Sequence, residues 1–333
     1  MLYLPRYMVI LTINKADENE IKNHLRDIPG YKLIGEKSLI ELSTYNDIAL
    51  WWFTDFTYKS YLNRFSCVPD DITKPTHWER IINVQKKYYF FRLLYFLYRS
   101  IISTICKMNV RLYNINNVHK KTKILVTAQN GEWRARMDRP GQSYKKEDAF
   151  FGSTISMLQK DPDYEIITTY PVGNPLSGLK IIVDKRKNQE DIIHKPFDIY
   201  LSFSAWNKSQ KAKNYFLGLR DEIKNNDRFN AWINYNGIYY SPIKDEILKY
   251  FTTTFGYTVQ QIETAKKMME TERPDLILIQ NEYSSFERSL VVAGKLNNIP
   301  VLGVQHGIIT PSHDGYIHSK DEVSKNGSVN SPY

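Results

Sequence analysis

Cysteine is scarce in this chain of 333 residues, which carries only Cys67 and Cys106. The two lie far apart and form no C-x-x-C pair, so the sequence indicates neither a disulfide framework nor a cysteine-based zinc site. So few cysteines fit a protein of the reducing cytosol. The amino terminus agrees with that location, because MLYLPRYMVILTI lacks the basic segment and long apolar core of a signal peptide.

Several catalytic and nucleotide-binding signatures are also missing. Neither GxGxxG nor GxxxxGK(S/T) occurs, so the chain lacks the dinucleotide-binding and P-loop fingerprints. No HExxH, GxSxG or paired-carboxylate motif is present, which removes support for metalloprotease, esterase and glycosidase activities.

An uninterrupted apolar run of membrane-spanning length is missing as well. The most apolar segment, Tyr88–Cys106, is broken by Arg92 and Arg99. Each arginine inside a bilayer costs about 2.5–3.5 kcal/mol on insertion scales. We therefore expect a helix over 84–107 that lies on the membrane surface, with its aromatic face down and its flanking lysines at the headgroups. A helix packed on the protein itself and a true membrane span are the alternatives.

Charge and composition bound the partners of the protein. The chain has 45 Lys and Arg against 36 Asp and Glu, a formal net charge of +9. This excess favours an anionic partner such as a membrane face or a diphosphate substrate, although a solvated basic surface would give the same count. We expect no nucleic acid, because zinc-finger spacing, RNA-binding aromatic motifs and a recognition-helix signature are all lacking. The hydrophobic content of 42% is typical of a folded protein.

The chain divides into three predicted parts. Residues 1–120 form a smaller α/β region, with a strand near Met8–Ile13 and the long aromatic, basic helix. Residues 121–316 form a Rossmann-like domain with a parallel sheet, because short apolar strands alternate with helical patterns there. Residues 317–333 form a polar linker or tail.

The predicted elements of the Rossmann-like domain follow from apolar runs and helical spacing. Strands are predicted at Lys123–Thr127 and Tyr164–Thr169, with weaker candidates at Ile181–Val183 and Asp198–Leu201. Helices are predicted at 149–159 and 244–272, the second with a break near Gly256. In the amino-terminal region, Glu18–Leu25 has a helical pattern, and Trp51 and Trp52 are expected in a core or an interface.

The most distinctive stretch runs from Pro274 to Gly307. Leu276–Ile279 and Val301–Val304 are continuous apolar runs, which are typical of parallel strands covered on both faces. Between them, Ser284 precedes Glu287 by the spacing of a capping box that begins a helix. The second strand leads into Gln305-His306-Gly307, so the sequence predicts a polar turn at the carboxyl edge of the sheet, where open α/β sheets bind ligands.

Three loops are expected to meet at this edge. One is the basic loop around Arg134, the second carries Glu282 and Arg288, and the third carries His306 and His313. An imidazole in such a turn is suited to act as a general base, and the helix that begins near Ser285 would favour an anionic group. Structural histidines with local hydrogen bonds, and a solvated loop around Arg134, are the alternatives.

Two motifs carry a resemblance to a known class of enzymes. The run E-x-x-x-x-E-R-x-L from Glu282 to Leu290, followed by IPVLGVQHGIITPSHDGY from Ile299 to Tyr316, resembles microbial surface-polysaccharide glycosyltransferases of the GT-B type. It is also similar to their CDP-glycerol glycerophosphotransferase-like relatives. The resemblance is specific over about 275–316.

The resemblance implies an activity and a set of roles. It implies metal-independent transfer of a sugar or polyol phosphate from a nucleotide donor to a lipid-linked surface-glycan acceptor at the cytoplasmic membrane face. His306 matches a histidine-glycine position proposed to deprotonate the acceptor hydroxyl in those relatives. No cofactor is implied beyond the nucleotide-activated sugar itself. Substrate binding would fall to the surrounding polar residues: Gln305, Gly307, Glu282, Arg288, His313 and Arg134.

The chain departs from the GT-B pattern, in which two Rossmann-like domains face each other across a cleft. Only 317–333 follow the motif, so we expect a single GT-B half, on the acceptor side, that is inactive by itself. Two other functions stay open from the sequence: a nucleotide-sugar epimerase-like enzyme of related fold, and a non-catalytic membrane-peripheral glycan-binding module.

Overall fold

The computed structural model describes residues 15–64, 122–128, 133–136, 145–171 and 193–304, together with residues 90, 93, 94, 96–101 and 104. Over these residues the chain is a mixed α/β protein with a parallel sheet. The α/β class predicted from the sequence is therefore confirmed. The predicted strands at 8–13 and 181–183 and the tail at 317–333 lie outside the described residues.

The amino-terminal region, residues 15–64, is mainly helical with short antiparallel strand pairs. Its helices are α1 (Lys15–Asp27), α2 (Leu39–Leu42) and α3 (Asp55–Arg64), with 3₁₀ turns at Ile28–Gly30 and Leu50–Phe53. Its strands are β1 (Lys32–Ile34), β2 (Lys37–Ser38), β3 (Thr44–Tyr45) and β4 (Ile48–Ala49). The helix predicted at 18–25 is confirmed within α1.

The remaining elements follow from residue 122 onward. The strands are β5 (Thr122–Thr127), β6 (Trp133–Arg136), β7 (Lys145–Asp148), β8 (Tyr164–Thr169), β9 (Ile193–His194), β10 (Asn234–Tyr235), β11 (Ile238–Tyr239), β12 (Leu276–Ile279) and β13 (Val301–Gly303). The helices are α4 (Gly152–Leu158), α5 (Phe203–Lys224), α6 (Asp227–Ile233), α7 (Ser241–Lys249), α8 (Phe255–Glu272) and α9 (Ser285–Leu296), with a 3₁₀ turn at Phe197–Tyr200.

Five of these strands form one sheet in the order β13-β12-β5-β8-β9, and every neighbouring pair is parallel. Ile277 of β12 is in register with Leu125 of β5 on one side and with Val301 of β13 on the other. Leu125 and Ile277 are fully buried, as expected for strands covered on both faces. The strands predicted at 123–127, 164–169, 276–279 and 301–304 are therefore confirmed, to within one residue at their ends.

The weak strand predicted at Asp198–Leu201 is wrong. Phe197–Tyr200 form a 3₁₀ turn instead, and the edge strand of the sheet is β9. Ser202 follows directly, and its hydroxyl accepts a hydrogen bond from Ala205 N to begin α5. The short apolar run thus leads into a helix that is capped by Ser202. Its composition alone does not distinguish such a turn from a strand.

The helical stretch predicted at 244–272 is present and is interrupted earlier than expected. A π-helical turn at Tyr250–Thr254 joins α7 to α8, whereas the chain is regular at Gly256. Gly256 serves a close helix contact: Ser209 of α5 donates to Gly256 O over 2.8 Å, and a Cβ on Gly256 would lie 2.9 Å from Lys213 Cβ.

The largest hydrophobic core joins the amino-terminal region to α5, α7 and α8. Trp51 is buried in it, with edge-on ring contacts to Tyr58 and Tyr250 at 5.6 and 5.7 Å between centroids. The core residues therefore come from both sides of the boundary predicted near residue 120. The boundary itself stays a prediction. The expectation that Trp51 packs in a core is confirmed.

The described residues between 90 and 104 are helical and form the aromatic helix. One of its faces packs on the protein: Phe96 and Leu93 lie against Trp206 and its neighbours at the start of α5, and Arg99 forms an ion pair with Asp198. Among the described residues, no helix is long and apolar enough to cross a bilayer. The ends of the helix predicted at 84–107 lie outside the described residues.

The packing of α9 on the sheet makes a stability prediction at Gly294. A Cβ there would lie 2.8 Å from Val301 Cγ2 and 3.0 Å from Ile277 Cδ1. We expect Gly294→Ala to lower the free energy of unfolding by about 1–3 kcal/mol, because overpacking outweighs the higher helix propensity of alanine. Gly218→Ala in α5 is the matched control: nothing lies within 4 Å of its Cβ position, so it should stabilise by up to about 1 kcal/mol. Urea denaturation measures both, and a stabilised Gly294→Ala variant would contradict the close approach.

Candidate functional site

The candidate site is the carboxyl edge of the parallel sheet. The three strands whose loops were expected to meet, β5, β12 and β13, are parallel neighbours, so their carboxyl ends lie side by side. Beyond β13, Val304 N donates to Ile279 O over 3.0 Å, which keeps the outgoing chain next to the end of β12. This is the position at which open α/β sheets bind ligands.

Buried polar side chains collect where the strands end. Thr127, Thr168, Thr169, His194 and Gln280 are each no more than 3% exposed. Thr127 Oγ1 accepts a hydrogen bond from Gln280 N over 3.0 Å, and Thr168 Oγ1 lies 2.5 Å from His194 Nδ1. Burying polar groups costs free energy that apolar residues would avoid. Because these polar side chains are clustered at one edge of the sheet, that edge is a candidate for a functional site.

Two oxygen atoms of this cluster lack a hydrogen-bond partner among the described residues. Thr169 Oγ1 and Gln280 Oε1 are buried, and neither finds a hydrogen-bond partner among the residues that the structure describes. Buried polar atoms are paired in the large majority of cases, so each exception calls for an explanation. These two oxygen atoms are therefore the features of the edge that contacts among the described residues leave unexplained.

Glu282 lies in the loop after β12 and Arg288 in the first turns of α9, and both take part in structural contacts. Arg288 Nε donates to Glu282 O over 2.8 Å, and its guanidinium lies 4.6 Å from the ring centroid of Trp52. Arg288 is 4% exposed. Its contacts join α9 to the amino-terminal region, which accounts for the second tryptophan as an interface residue. The predicted substrate-binding role of both residues stays a prediction.

The start of α9 follows the predicted capping pattern. Ser284 Oγ accepts a hydrogen bond from Glu287 N over 3.2 Å. Glu287, in the first turn, is completely buried. The sequence-based expectation of an anion site at this helix end stays a prediction.

The basic segment after β5 contains two strands, β6 and β7. They form an antiparallel pair, with Arg134 in register with Glu147 and Arg136 with Lys145. The prediction of a long loop is therefore wrong over 133–136 and 145–148, because these residues pair as a two-stranded ribbon. The substrate-binding role of Arg134 stays a prediction.

The predicted catalytic turn lies outside the described residues. This holds for Gln305, His306, Gly307 and His313. The described chain ends at Val304, beside the carboxyl end of β12. The role of His306 as a general base stays a prediction that is carried by its place in the sequence directly after β13.

A second buried polar group joins β9 to the end of α8. Glu272 accepts hydrogen bonds from Lys195 Nζ over 2.6 Å and from Tyr200 OH over 2.5 Å. All three side chains are buried. Burial first, and the Glu272 carboxylate second, raise the pKa of Tyr200 far above its usual range, so the phenol stays protonated. This grouping is a fixed structural link.

A groove of about 290 Å³ lies between β3 and α5, lined among others by Tyr45, Tyr215 and Lys208. Tyr45 OH and Lys208 Nζ donate to the Glu263 carboxylate over 3.1 and 2.5 Å. Burial first, and the Glu263 charge second, raise the pKa of Tyr45 above its usual range. The polar groups of the groove are thus largely satisfied by each other.

Comparison with known proteins gives no family assignment. No protein-family model, no curated protein and no solved structure matches the chain. Among the described residues, no group of three or more His, Cys, Asp or Glu side chains is placed to hold a metal ion.

Sequence reasoning missed the buried polar residues of the edge, above all Gln280 and Thr169. One signal was available for Gln280, because it is the first polar residue after the apolar run of β12. Thr169 ends a strand that reads as ordinary, and threonine is common in strands. Only the sheet order brings Thr127 and Thr169, at the ends of two adjacent strands, to one edge.

Proposed function

We propose that the protein is the acceptor-side, Rossmann-like part of a GT-B-type glycosyltransferase that moves a sugar or polyol phosphate onto a surface-glycan acceptor. The observation that carries the proposal is the all-parallel sheet whose carboxyl edge holds Thr169 and Gln280 with buried, unsatisfied oxygen atoms among the described residues. A glycan acceptor presents many hydroxyl groups, which suit hydrogen-bond acceptors of this kind.

The proposed chemistry needs one base and one nucleotide-activated donor. The imidazole of His306 takes the proton of an acceptor hydroxyl, whose oxygen attacks the anomeric carbon of the donor sugar. The new glycosidic bond forms as the bond to the nucleoside diphosphate breaks, and the diphosphate leaves with the electron pair. With a CDP-polyol donor the acceptor oxygen instead attacks the phosphorus that carries the polyol, the new phosphoester bond forms, and CMP leaves with the electron pair. Gln280 and Thr169 orient the acceptor, and no redox step or cofactor is required.

The acceptor is proposed to be lipid-linked, which places the protein at the cytoplasmic face of the membrane. The net charge of +9 supports this location, because the cytoplasmic leaflet carries anionic lipids. The aromatic helix supplies apolar surface for the same contact.

The test is an assay of the gene product expressed from its own locus, in membranes and extract, with nucleotide-activated sugars and CDP-glycerol as donors. Release of free nucleotide that requires a glycan acceptor is expected. Interconversion of a nucleotide-sugar without acceptor would instead indicate an epimerase. Glycan binding with neither reaction would indicate a binding module, and each of these two results contradicts the proposal.

A pair of matched variants tests the sheet edge within that assay. Gln280→Met is expected to abolish most transfer while leaving stability equal or slightly higher, because it removes a buried oxygen without a described partner. Gln261→Met in α8 removes a buried oxygen of the same kind and should leave transfer unchanged. Equal transfer in the two variants would exclude Gln280 from the acceptor site.

A further inference from the structure

The aromatic helix carries an exposed apolar stripe, formed by Phe90, Leu94, Leu97, Tyr98 and Ile101. Each of these side chains is between 39% and 62% exposed. At 3.6 residues per turn, the five positions fall within an arc of about 100° on one side of the helix. Large apolar side chains that are contiguous and exposed mark an interaction surface, whereas scattered ones need no explanation.

The opposite face of the helix packs on the protein, so the stripe faces away from it. Phe96 lies 5.2 Å from Trp206 between ring centroids, and the ion pair of Arg99 with Asp198 fastens the same segment to the turn before α5. Phe203 at the start of α5 contacts Phe96 on this packed face, with 5.9 Å between the ring centroids. The helix is therefore packed on the protein by one face, as the second of the placements expected from the sequence requires, and its other face is exposed.

The charge of this part of the chain selects the partner. Between Glu79 and Glu132 the sequence contains ten Lys and Arg residues and no Asp or Glu. Lys86 and Lys87 precede the stripe, and Lys107 follows it. A second copy of the chain would bring two such basic segments together, which costs electrostatic free energy. An anionic lipid surface offers both an apolar layer and negative charge.

We propose that the apolar stripe docks the protein on an anionic lipid bilayer, with the stripe entering the interface and the basic charge of this part of the sequence attracted to the anionic headgroups. This inference rests on the membrane location in the proposed function and identifies the residues that would contact the membrane. It needs no donor, acceptor or catalytic turn, so its failure and the failure of the transferase proposal are separate results.

The experiment is cosedimentation of the purified protein with phosphatidylcholine vesicles, with and without phosphatidylserine, at low and high salt. Binding to the phosphatidylserine vesicles is expected, and it should weaken with salt. Leu97→Glu/Ile101→Glu should reduce partitioning roughly 100-fold or more, since burial of each large apolar side chain is worth about tenfold or more. Met157→Glu/Leu296→Glu alters two exposed apolar residues elsewhere and changes net charge equally, so it should bind like the parent protein.

Circular dichroism of both double variants checks that they fold alike. Equal binding of the two would overturn the proposal, because basic charge alone would then explain the association. The proposal is equally overturned if the stripe variant keeps its lipid binding and changes only the sedimentation coefficient of the lipid-free protein, since the stripe would then be a contact between copies.

Discussion

Alanine in place of His306 is expected to lower the transfer rate about 10²–10⁴-fold, the usual contribution of a general base. The hydroxyl of a glycan acceptor is a poor nucleophile until its proton is taken, and His306 follows directly on the strand that ends the described sheet. The loss should appear in kcat with donor KM little changed, because the imidazole acts on the acceptor in the transition state. The measurement is the rate of acceptor-dependent nucleotide release by the gene product expressed from its own locus.

His318→Ala is the matched control for this substitution. His318 lies outside the resemblance motif and is expected to be structural, so its loss should leave the rate near that of the parent protein. A His306→Ala enzyme that keeps a rate near that of the parent protein would remove the base assignment. Thermal denaturation of both variants separates a catalytic loss from a loss of folded protein.

Lys195→Met is expected to lower the free energy of unfolding by about 3–5 kcal/mol, because it leaves the Glu272 carboxylate buried without its cation. Lys195 and Glu272 are both buried, with 2.6 Å between Nζ and Oε2. Lys267→Met is the control: its pair with Glu270 spans 3.1 Å but both side chains are more than half exposed, so the loss should stay under about 1 kcal/mol.

The double variant Lys195→Met/Glu272→Leu shows whether the ion pair itself stabilises the fold, or whether each charge is needed only because the other one is buried. Removing both charges should destabilise less than Lys195→Met alone, since no charge is left buried. Urea denaturation at neutral pH of the parent protein, Lys195→Met, Glu272→Leu and the double variant provides the four free energies of the cycle. Additive losses would mean that Lys195 and Glu272 do not interact.

The sheet was readable from the sequence because its strands are short, continuous apolar runs flanked by polar residues, as in β5 and β12. The features that the sequence did not predict depend either on local capping or on contacts between residues far apart in sequence. The turn at 197–200 has the composition of a strand, and only the cap at Ser202 settles it. The contact of Arg288 with Trp52 joins residues that are far apart in sequence, which hydrophobic periodicity does not encode.

The shared core of the amino-terminal region and the later helices sets the order in which the protein can fold during synthesis. His24 Nε2 lies 2.8 Å from Trp232 O, and Tyr45 donates to Glu263; these partners are 208 and 218 residues apart. A ribosome that adds 5–20 residues per second leaves the first partner waiting roughly 10–45 s for the second. During that interval the apolar side of α1 and the side chain of Trp51 are without their native cover. The native core therefore forms only after the later helices have been synthesised, and its many long-range contacts are of the kind that slow folding.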